Sequence, residues 1–272
     1  MAKHPRRPFV KMHGAGNDFV MVDGRDWPAR SLDRATIARL CARRTGIGAD
    51  GLIIVDEVGA DAVRMTYFNA DGGEADMCGN GARCTVAFAH ARGLLGAHGV
   101  LHTRGGELAA IVHAADDVEV ALPSYRDLHL GLEVADAADP VIHHCNTGVP
   151  HLVVPVDDLE AVPVVDAGRR LRHDATFAPA GVNVNWIAAD PTRGEWRLRT
   201  YERGVEAETL ACGTGASAAA VVLVHTGAAT SPVAIRTRGG DRLEISVDTV
   251  TAKLRLRGPA VVAYTGEVVC DA

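Results

Sequence analysis

The sequence lacks the patterns that identify several common classes of protein. Its six cysteines include no Cys-x-x-Cys pair, and its twelve histidines include no His-Glu-x-x-His motif, so nothing supports a metal site. Phe19 stands where a dinucleotide-binding loop would need its third glycine. The excess of acidic over basic residues, 34 against 28, argues against a nucleic acid or an anionic membrane as the main partner.

Long apolar runs and a secretory signal are missing as well. A membrane span needs about 20 nearly uninterrupted apolar residues. The most apolar window, 210–229, is interrupted by four polar residues, Thr214, Ser217, His225 and Thr226. The basic start "MAKHPRRPF" leads into "VKMHGAGND" and not into an apolar core, so we expect no signal peptide. Sparse cysteines without a dense framework favour reduced thiols, and we expect a cytoplasmic protein.

What the sequence does contain is an internal repeat with an offset of 134 residues. Cys212 lies 134 positions after Cys78, each in the word Cys-Gly-x-Gly-Ala, and Gly227 follows Gly93 by the same distance. The same offset aligns three longer pairs of segments, which are 14–23 with 148–157, 66–82 with 200–216, and 103–106 with 237–240. A shared offset across so many segments indicates a duplicated unit.

Each copy predicts the same local structure. Short β-branched or aromatic runs bounded by Gly, Asp or Asn predict strands, namely "FVMVD", "LIIVD", "VRMTYF", "HLVVPV", "VNWIAA" and "WRLRTY". The segments 78–92 and 212–226 are apolar or small on all sides, which is typical of a helix buried all round. We therefore predict an α/β (α+β) protein of two pseudo-symmetric domains, each a curled, mainly antiparallel sheet around a central buried helix. We expect the active site in the cleft between the domains.

The expected domain boundaries follow from this repeat. Residues 1–120 would form the N-terminal half and residues 121–260 the C-terminal half, with the tail at about 261–272 packing on the first half. The segment 113–142, which contains "AADD" and "ADAADP", is interpreted as the connection between the halves.

Cys78 and Cys212 each stand at the start of a predicted helix, directly before Gly-x-Gly. Unpaired amides at a helix N-terminus favour negative charge, so they would stabilise a thiolate and could also hold a substrate carboxylate. A helix terminus contributes only about 0.3–1 kcal/mol, which would lower a thiol pKa by less than about one unit. Exclusion of water and fixing of the substrate's charges would have to supply the remainder.

Two cysteines on opposite sides of a cleft between the domains would suit inversion at a chiral carbon. One thiolate would remove a proton while the opposite thiol returns one to the other face, with no cofactor. The remaining cysteines have no counterpart at the 134-residue offset and are interpreted as packing residues, namely Cys41, Cys84, Cys145 and Cys270. A disulfide between Cys78 and Cys212 would be an oxidised, inactive form.

The chain resembles the diaminopimelate epimerases, which are PLP-independent amino-acid epimerases. The resemblance covers almost the whole chain and rests on "MHGAGNDFVMVD", "GIGADG", "FNADGGEADMCGNGARC", "VPHLVV", "GVNVNW" and "YERGVEAETLACGTGA" in this order. It implies interconversion of LL- and meso-2,6-diaminopimelate in lysine and peptidoglycan precursor biosynthesis. The phenazine-biosynthesis isomerase-like relatives fit less well, because they are not expected to keep both cysteines.

The same resemblance assigns roles to individual residues. It implies that Cys78 and Cys212 are the acid–base pair, and that His151 and Glu202 tune the cysteines. It implies a homodimer with Tyr264 at the contact. Residues implied to bind the substrate are Asn17, Asn69, Gly79, Asn80, Asn183, Glu202, Arg203, Gly213 and Thr214. An amino acid charged at both ends requires such a mixture of amide, cationic and anionic partners.

Two positions depart from the family pattern. Val149 stands where many members have Asn before the Pro-His pair, and Gly51 stands where many have Gln. These departures leave open a racemase of the same superfamily that acts on another free amino acid, such as histidine. Two other classes also remain as alternatives, which are a thiol enzyme performing acyl transfer with one cysteine and a non-catalytic protein that binds a zwitterion.

Overall fold

The structure is a computed structural model that describes residues 6–27, 32–134 and 141–269. The chain divides into two compact units, one comprising Met1–Val120 with Pro259–Ala272 and the other Ala121–Gly258. Strands predominate over helices, and the expected fold class, a sheet-dominated α+β protein, is confirmed. Among the described residues, no helix combines the length and the apolar character needed to cross a membrane.

Among the described residues, the first part of the chain contains eight strands and two helices. In chain order they are β1 (Arg6–Gly14), β2 (Asn17–Asp23), α1 (Arg34–Cys41), β3 (Gly51–Gly59), β4 (Ala62–Asn69), β5 (Glu74–Ala75), α2 (Gly79–Ala91), β6 (His98–Thr103), β7 (Gly106–Ala114) and β8 (Asp117–Leu122).

The later elements are β9 (Arg126–Leu132), β10 (Ile142–Asn146), β11 (Pro150–Pro155), α3 (Val164–Arg172), a 3₁₀ turn (Ala175–Phe177), β12 (Asn183–Asp190), β13 (Glu195–Glu202), β14 (Ala207–Thr209), α4 (Gly213–His225), β15 (Val233–Arg236), β16 (Arg242–Val247), β17 (Leu254–Pro259) and β18 (Val261–Val269). After β9, they repeat the order of the first part, with a 3₁₀ turn added after α3 and a further strand, β18, at the end.

In the first unit, β1 lies between β18 and β2 and is antiparallel to both. The strand β2 runs parallel to β3, which is antiparallel to β4. The strand β4 pairs with β5 and, in parallel, with β6, and an antiparallel ladder continues through β7 to β8. The mostly antiparallel pairing agrees with the predicted sheet.

The second unit has the same pairing order. The strand β10 lies between β9 and β11, β11 runs parallel to β12, and β12 is antiparallel to β13. The strand β13 pairs with β14 and, in parallel, with β15, and the ladder continues to β16 and β17. Even the register repeats, because Phe19 pairs with Gly51 and Val153 with Asn185, each residue 134 positions after its counterpart. The structure therefore confirms the internal duplication.

The ninth strand of each repeat pairs with the first strand of the other repeat. The strand β9 follows β8 in the chain but pairs with β10 of the second unit. The strand β18 follows β17 but pairs with β1 of the first unit. The segment 113–142 is thus more than a connection, because it contains β8 and β9, while its residues 135–140 lie outside the described part of the chain.

The helices α2 and α4 are buried nearly all round, as their small and apolar sequences predict. In α2 every residue from Gly79 to Ala89 is buried, and in α4 every residue from Gly215 to Leu223 is buried. Glycine permits this close packing: a Cβ on Gly81 would lie 2.9 Å from Cδ1 of Ile53. Burial of this kind, in each unit, contributes to the apolar surface removed from water.

Three further cysteines lie in the cores and not at helix starts. Cys41, Cys84 and Cys145 are each almost completely buried. Burial raises the pKa of the Cys41 thiol to about 11 and those of the Cys84 and Cys145 thiols to about 12, so all three stay protonated near neutral pH. Cys270, which we interpreted in the same way, lies outside the described residues.

The structure also gives a physical reason for the glycine at position 51. The ring of Tyr67 lies on the same face of the sheet, and a Cβ on Gly51 would come within 2.6 Å of its Cε2 atom. The same Cβ would lie 2.5 Å from the carbonyl oxygen of Phe68, which is backbone and cannot rotate away. Gly51 is therefore required by its neighbours, and Tyr67 takes up the space into which a longer side chain would extend.

Replacing Gly51 by Gln should destabilise the protein by about 1–3 kcal/mol, the usual range for overpacking a filled site. Urea unfolding would measure the change. The matched control is Gly59→Gln at the exposed end of the same strand, where a Cβ would meet only the Cβ of Ala62 at 3.8 Å. The control should stay within about 0.5 kcal/mol of the parent. Equal free energies of unfolding for the two variants would show that Tyr67 and Phe68 can shift to accommodate the side chain without destabilising the protein.

Candidate functional site

In the first unit, Cys78 is the N-cap residue of α2. Its backbone is extended, with φ −138° and ψ 123°, and its carbonyl accepts the first helical hydrogen bond from Ala82 N at 2.8 Å. The following amides belong to the first turn and have no partner within the helix. The N-terminus of α2 favours negative charge near Cys78, although the Cys78 side chain makes no capping hydrogen bond to it.

The side chain of Asn17 links Cys78 to the sheet. The thiol of Cys78 donates to Oδ1 of Asn17 at 3.4 Å, and Nδ2 of Asn80 donates to the same oxygen, also at 3.4 Å. On its other side, Nδ2 of Asn17 donates to Oδ2 of Asp50 at 2.7 Å. Since a carboxylate oxygen can only accept, this bond fixes which end of the Asn17 amide faces the sulfur.

A network of charged groups holds Asp50 in turn. Arg43 donates to Oδ1 of Asp50 at 2.6 Å and binds both carboxylate oxygens of Asp18, at 2.8 and 3.0 Å. Lys11, nearly buried, adds an ion pair to Asp18 at 2.8 Å. Burial alone would raise the pKa of the Asp18 carboxyl, but hydrogen bonds from Arg43 and Lys11 hold that pKa well below its usual range. Asp18 is therefore ionised near neutral pH.

The remaining predicted residues of the first unit lie around the same helix start or at the end of a neighbouring strand. Asn80 is buried in the first turn of α2, and its Oδ1 accepts from Arg83 at 3.0 Å. Arg83, fully buried one turn further on, also donates to the carbonyl of Gly79 at 3.2 Å. Asn69 is exposed at the end of β4, directly opposite Gly51 in the sheet register.

In the second unit, Cys212 is the N-cap residue of α4 and has a different hydrogen-bond arrangement. Its sulfur accepts from the backbone N–H of Gly215 at 3.4 Å, so the side chain itself caps the helix. The Thr214 hydroxyl lies 3.5 Å from the sulfur, and the Thr214 carbonyl accepts from Thr147 at 2.8 Å. The sulfur of Cys212 thus accepts one of the first-turn amides of α4, an interaction that the sulfur of Cys78 does not make in α2.

His151 is fully buried in β11, where it pairs with Asn183 of β12. Burial first, and then the positive charges of Arg203 and His144, lower the pKa of His151 to about 3. The imidazole is therefore neutral near neutral pH. Its Nδ1 atom lies 3.1 Å from Nδ2 of Asn185, a contact that sequence reasoning did not anticipate.

Arg203, the residue that follows β13, lies close to Asn183. Oδ1 of Asn183 accepts from the backbone N–H of Arg203 at 2.9 Å, and its Nδ2 donates to the carbonyl of Pro150 at 3.1 Å. Glu202, the last residue of β13, is half-buried and pairs with Ala207 of β14. The second unit thus groups Asn183, Arg203 and Glu202 at the ends of neighbouring strands.

The structure places the predicted residues in two groups, one at each buried helix. The first unit brings together Asn17, Cys78, Gly79 and Asn80, with Asn69 at the end of the adjacent strand, and the second unit contains His151, Asn183, Glu202, Arg203, Cys212, Gly213 and Thr214. Sequence reasoning missed the residues that orient these side chains, namely Lys11, Asp18, Arg43, Asp50, Arg83, Asn185 and Thr200. The repeat could have indicated Asn185, because Asn185 lies 134 residues after Gly51, a position that the family resemblance had already singled out.

Structural comparison finds the same fold in two solved proteins. A protein of the PhzF phenazine biosynthesis family from Bacillus anthracis aligns with a TM-score of 0.72 and 18% identity, over 98% of this chain and all of that one. A hydroxyproline epimerase from Agrobacterium vitis, solved with bound trans-4-hydroxy-L-proline, aligns with a TM-score of 0.69 and 17% identity, over 100% and 95% of the two chains. Identities this low show a shared fold only.

Sequence comparison is more specific. The profile of the diaminopimelate epimerase family matches residues 9–125 and 144–270. The diaminopimelate epimerase of Gemmatimonas aurantiaca is 39% identical, over 96% of this chain and 98% of its own length. That of Aquifex aeolicus is also 39% identical, over 96% and 97%. Matches of this extent, on a fold with a cysteine at each buried helix start, place the chain in the diaminopimelate epimerase family, and it is an amino-acid epimerase.

Proposed function

We propose that the protein interconverts LL- and meso-2,6-diaminopimelate by proton transfer at the α-carbon, with Cys78 and Cys212 as the acid–base pair. The observation that carries the proposal is that the duplication repeats one cysteine as the N-cap of each buried helix. A reversible inversion needs an acid and a base that exchange roles with the direction of reaction. Two residues of the same type meet that need without a cofactor.

The hydrogen bonds of the two sulfurs differ in the way that such a pair requires. Cys78 donates to Asn17, which suits a thiol, whereas Cys212 accepts from Gly215, which suits a thiolate. In the scheme that we propose, the thiolate removes the α-proton and the thiol supplies a proton to the opposite face of the same carbon. The electron pair left on the carbon is delocalised into the adjacent carboxylate, so this carboxylate must be held firmly.

We infer that the helix N-termini and the neighbouring polar side chains hold the substrate. The amides of the first helical turns would bind the reacting carboxylate, and the amides and charges at the strand ends would bind the other charged groups. The residues that we propose for substrate binding are Asn17, Asn69, Gly79, Asn80, Asn183, Glu202, Arg203, Gly213 and Thr214. His151 and Glu202 would influence the cysteines from nearby.

The product would serve lysine and peptidoglycan precursor biosynthesis, and we propose that the reaction takes place in the cytoplasm. A mechanism with two free thiols requires a reducing compartment. The five cysteines in the described part of the chain are free thiols, which is compatible with this location.

The substrate itself needs a direct test because Gly51 and Val149 depart from the common family pattern. Assays of LL-diaminopimelate beside histidine and other free amino acids would show which compound is inverted. We expect turnover of diaminopimelate and negligible turnover of the others. If histidine is inverted faster, histidine would replace diaminopimelate as the proposed substrate. The two-thiol proposal would still stand.

We also propose a homodimer formed through β18. This strand pairs with β1 on one side, and no strand of the described residues pairs with its other edge. Its residues Val262 and Tyr264 expose 52% and 45% of their surfaces, although Tyr264 is positioned by a hydrogen bond to the Ile47 carbonyl at 3.2 Å. An unpaired strand edge with exposed apolar side chains is a surface that a second copy can cover.

Cys78→Ala and Cys212→Ala should each reduce epimerisation by at least about 100-fold, the lower range for loss of a general acid or base. The measurement is deuterium incorporation at the inverted carbon in deuterated water. The matched control is Cys84→Ala, because Cys84 is buried in α2 where α4 has Ala218 and should be dispensable. Near-normal activity in Cys78→Ala or Cys212→Ala would remove that cysteine from the mechanism.

Val262→Asp and Tyr264→Ala should each weaken dimerisation by at least about tenfold, since an interface charge or the loss of a central aromatic side chain costs more than about 1.4 kcal/mol. Sedimentation equilibrium would measure the dissociation constant. Val250→Asp provides the control, because Val250 is 92% exposed in a turn of the other unit. A parent protein that sediments as a monomer at all concentrations would rule out the dimer.

A further inference from the structure

The hydrogen bonds around Asn185 determine the orientation of its side-chain amide. One terminal atom lies 2.8 Å from the carbonyl oxygen of Leu152 and 3.1 Å from Nδ1 of His151. A carbonyl oxygen only accepts, so this terminal atom must be the Nδ2 donor. The other terminal atom, Oδ1, accepts from the hydroxyl of Thr200 at 2.9 Å. Both contacts agree on a single orientation of the amide.

This orientation determines which nitrogen of His151 carries the proton. Because an N–H of Asn185 points at Nδ1, that ring nitrogen must accept and cannot itself be protonated. The proton of the neutral imidazole therefore resides on Nε2. A proton on Nδ1 would set two N–H groups against each other and leave both donors unsatisfied in a fully buried place, at about 1–3 kcal/mol each. A proton on Nε2 leaves one unsatisfied donor, because Nε2 has no hydrogen-bond partner in the described part of the chain.

Asn185 also touches the turn that carries the catalytic sulfur. A Cβ on Gly215 would lie 2.2 Å from Oδ1 of Asn185, so the amide packs directly against the first turn of α4. The N–H of this same glycine donates to the sulfur of Cys212. Asn185 thus connects His151, the Thr200 hydroxyl and the helix start within one unit.

We propose that Asn185, oriented by Thr200, is a positioning residue that holds His151 in the Nε2–H tautomer, so that His151 is a neutral donor and cannot take a proton from a cysteine. The inference deepens the proposed function, on which it rests, by leaving proton transfer to the two thiols alone. His151 then influences the site through its orientation and its N–H.

The surrounding charges act in the same direction. Arg203, which follows β13, and His144 of β10 are the charged or titratable groups that act on His151, and each opposes a positive imidazole. The fully buried position opposes it further. His151 should therefore show no protonation step between about pH 5 and pH 9, since its pKa of about 3 lies below that window.

Asn185→Asp is the sharpest test, because it exchanges the N–H donor for an acceptor of nearly equal size. A carboxylate beside Nδ1 should draw the proton to that nitrogen and raise the pKa of His151. The probe is protein labelled with ¹⁵N-histidine, without substrate, with the His151 signals assigned by their loss in His151→Gln. In the parent protein we expect the proton on Nε2, and in Asn185→Asp we expect it on Nδ1.

Kinetics would then separate a positioning role from a merely structural one. Asn185→Asp should lower kcat by about tenfold or more, because His151 would adopt the wrong tautomer and no longer present an N–H from Nε2. In Asn185→Asp, kcat should also acquire a dependence on the protonation of His151 that the parent lacks. Thr200→Val should shift the tautomer partly, and Thr200→Ser, which keeps the hydroxyl, should restore the parent's signals and rate.

Three outcomes would overturn the proposal. They are a proton on Nδ1 in the parent, a tautomer unchanged in Asn185→Asp, and a flipped tautomer with unchanged kcat and pH profile. Each leaves the two-thiol mechanism standing, because that mechanism is tested by the cysteine variants. Conversely, loss of the two-thiol mechanism would leave the tautomer measurement valid, since it is made without substrate.

Discussion

The structure depends on the unpaired amides at the start of each buried helix. The first N–H groups of a helix have no partner within the helix, so they need partners from the rest of the protein, from water or from a ligand. In α4 the sulfur of Cys212 accepts from one of these amides, whereas the side chain of Cys78 makes no capping hydrogen bond in α2. Each cysteine is followed by glycines that let the sheet approach. The helix N-terminus thus favours a thiolate at these positions, whereas burial by itself opposes one.

The two repeats share this constraint but meet it differently. Asn17 and His151 occupy equivalent positions, 134 residues apart, yet Asn17 contacts its cysteine directly whereas His151 pairs with Asn185. Asn185 in turn occupies the position of Gly51, where a side chain would collide with Tyr67 and the backbone of Phe68. Duplication supplied two equal scaffolds, and the polar residues around each cysteine then diverged.

Sequence reasoning predicted what local patterns and the repeat encode. The strands around β2, β3, β4, β11, β12 and β13 and both buried helices were predicted, because alternation, β-branching and small-residue runs are local signals. The turn at "AADD" was read as part of a connection, although it joins β7 to β8. The network of Asp50, Arg43 and Asp18 escaped prediction, since its members meet only through strand register. His151 was found through family resemblance, but its neutral state depends on burial, which no sequence motif reveals.

The exchange of the ninth strands explains why the repeat in the sequence differs from the unit in the structure. Each repeat contains nine strands, but β9 completes the sheet of the second unit and β18 completes that of the first. Neither repeat can therefore complete its own sheet from its own residues. Because β1 gains its second partner only when β18 is present, the first unit depends on the last part of the chain. Because this pairing joins residues that are far apart in the sequence, the two halves must fold together. The stability of each cysteine-bearing helix therefore depends on the other repeat.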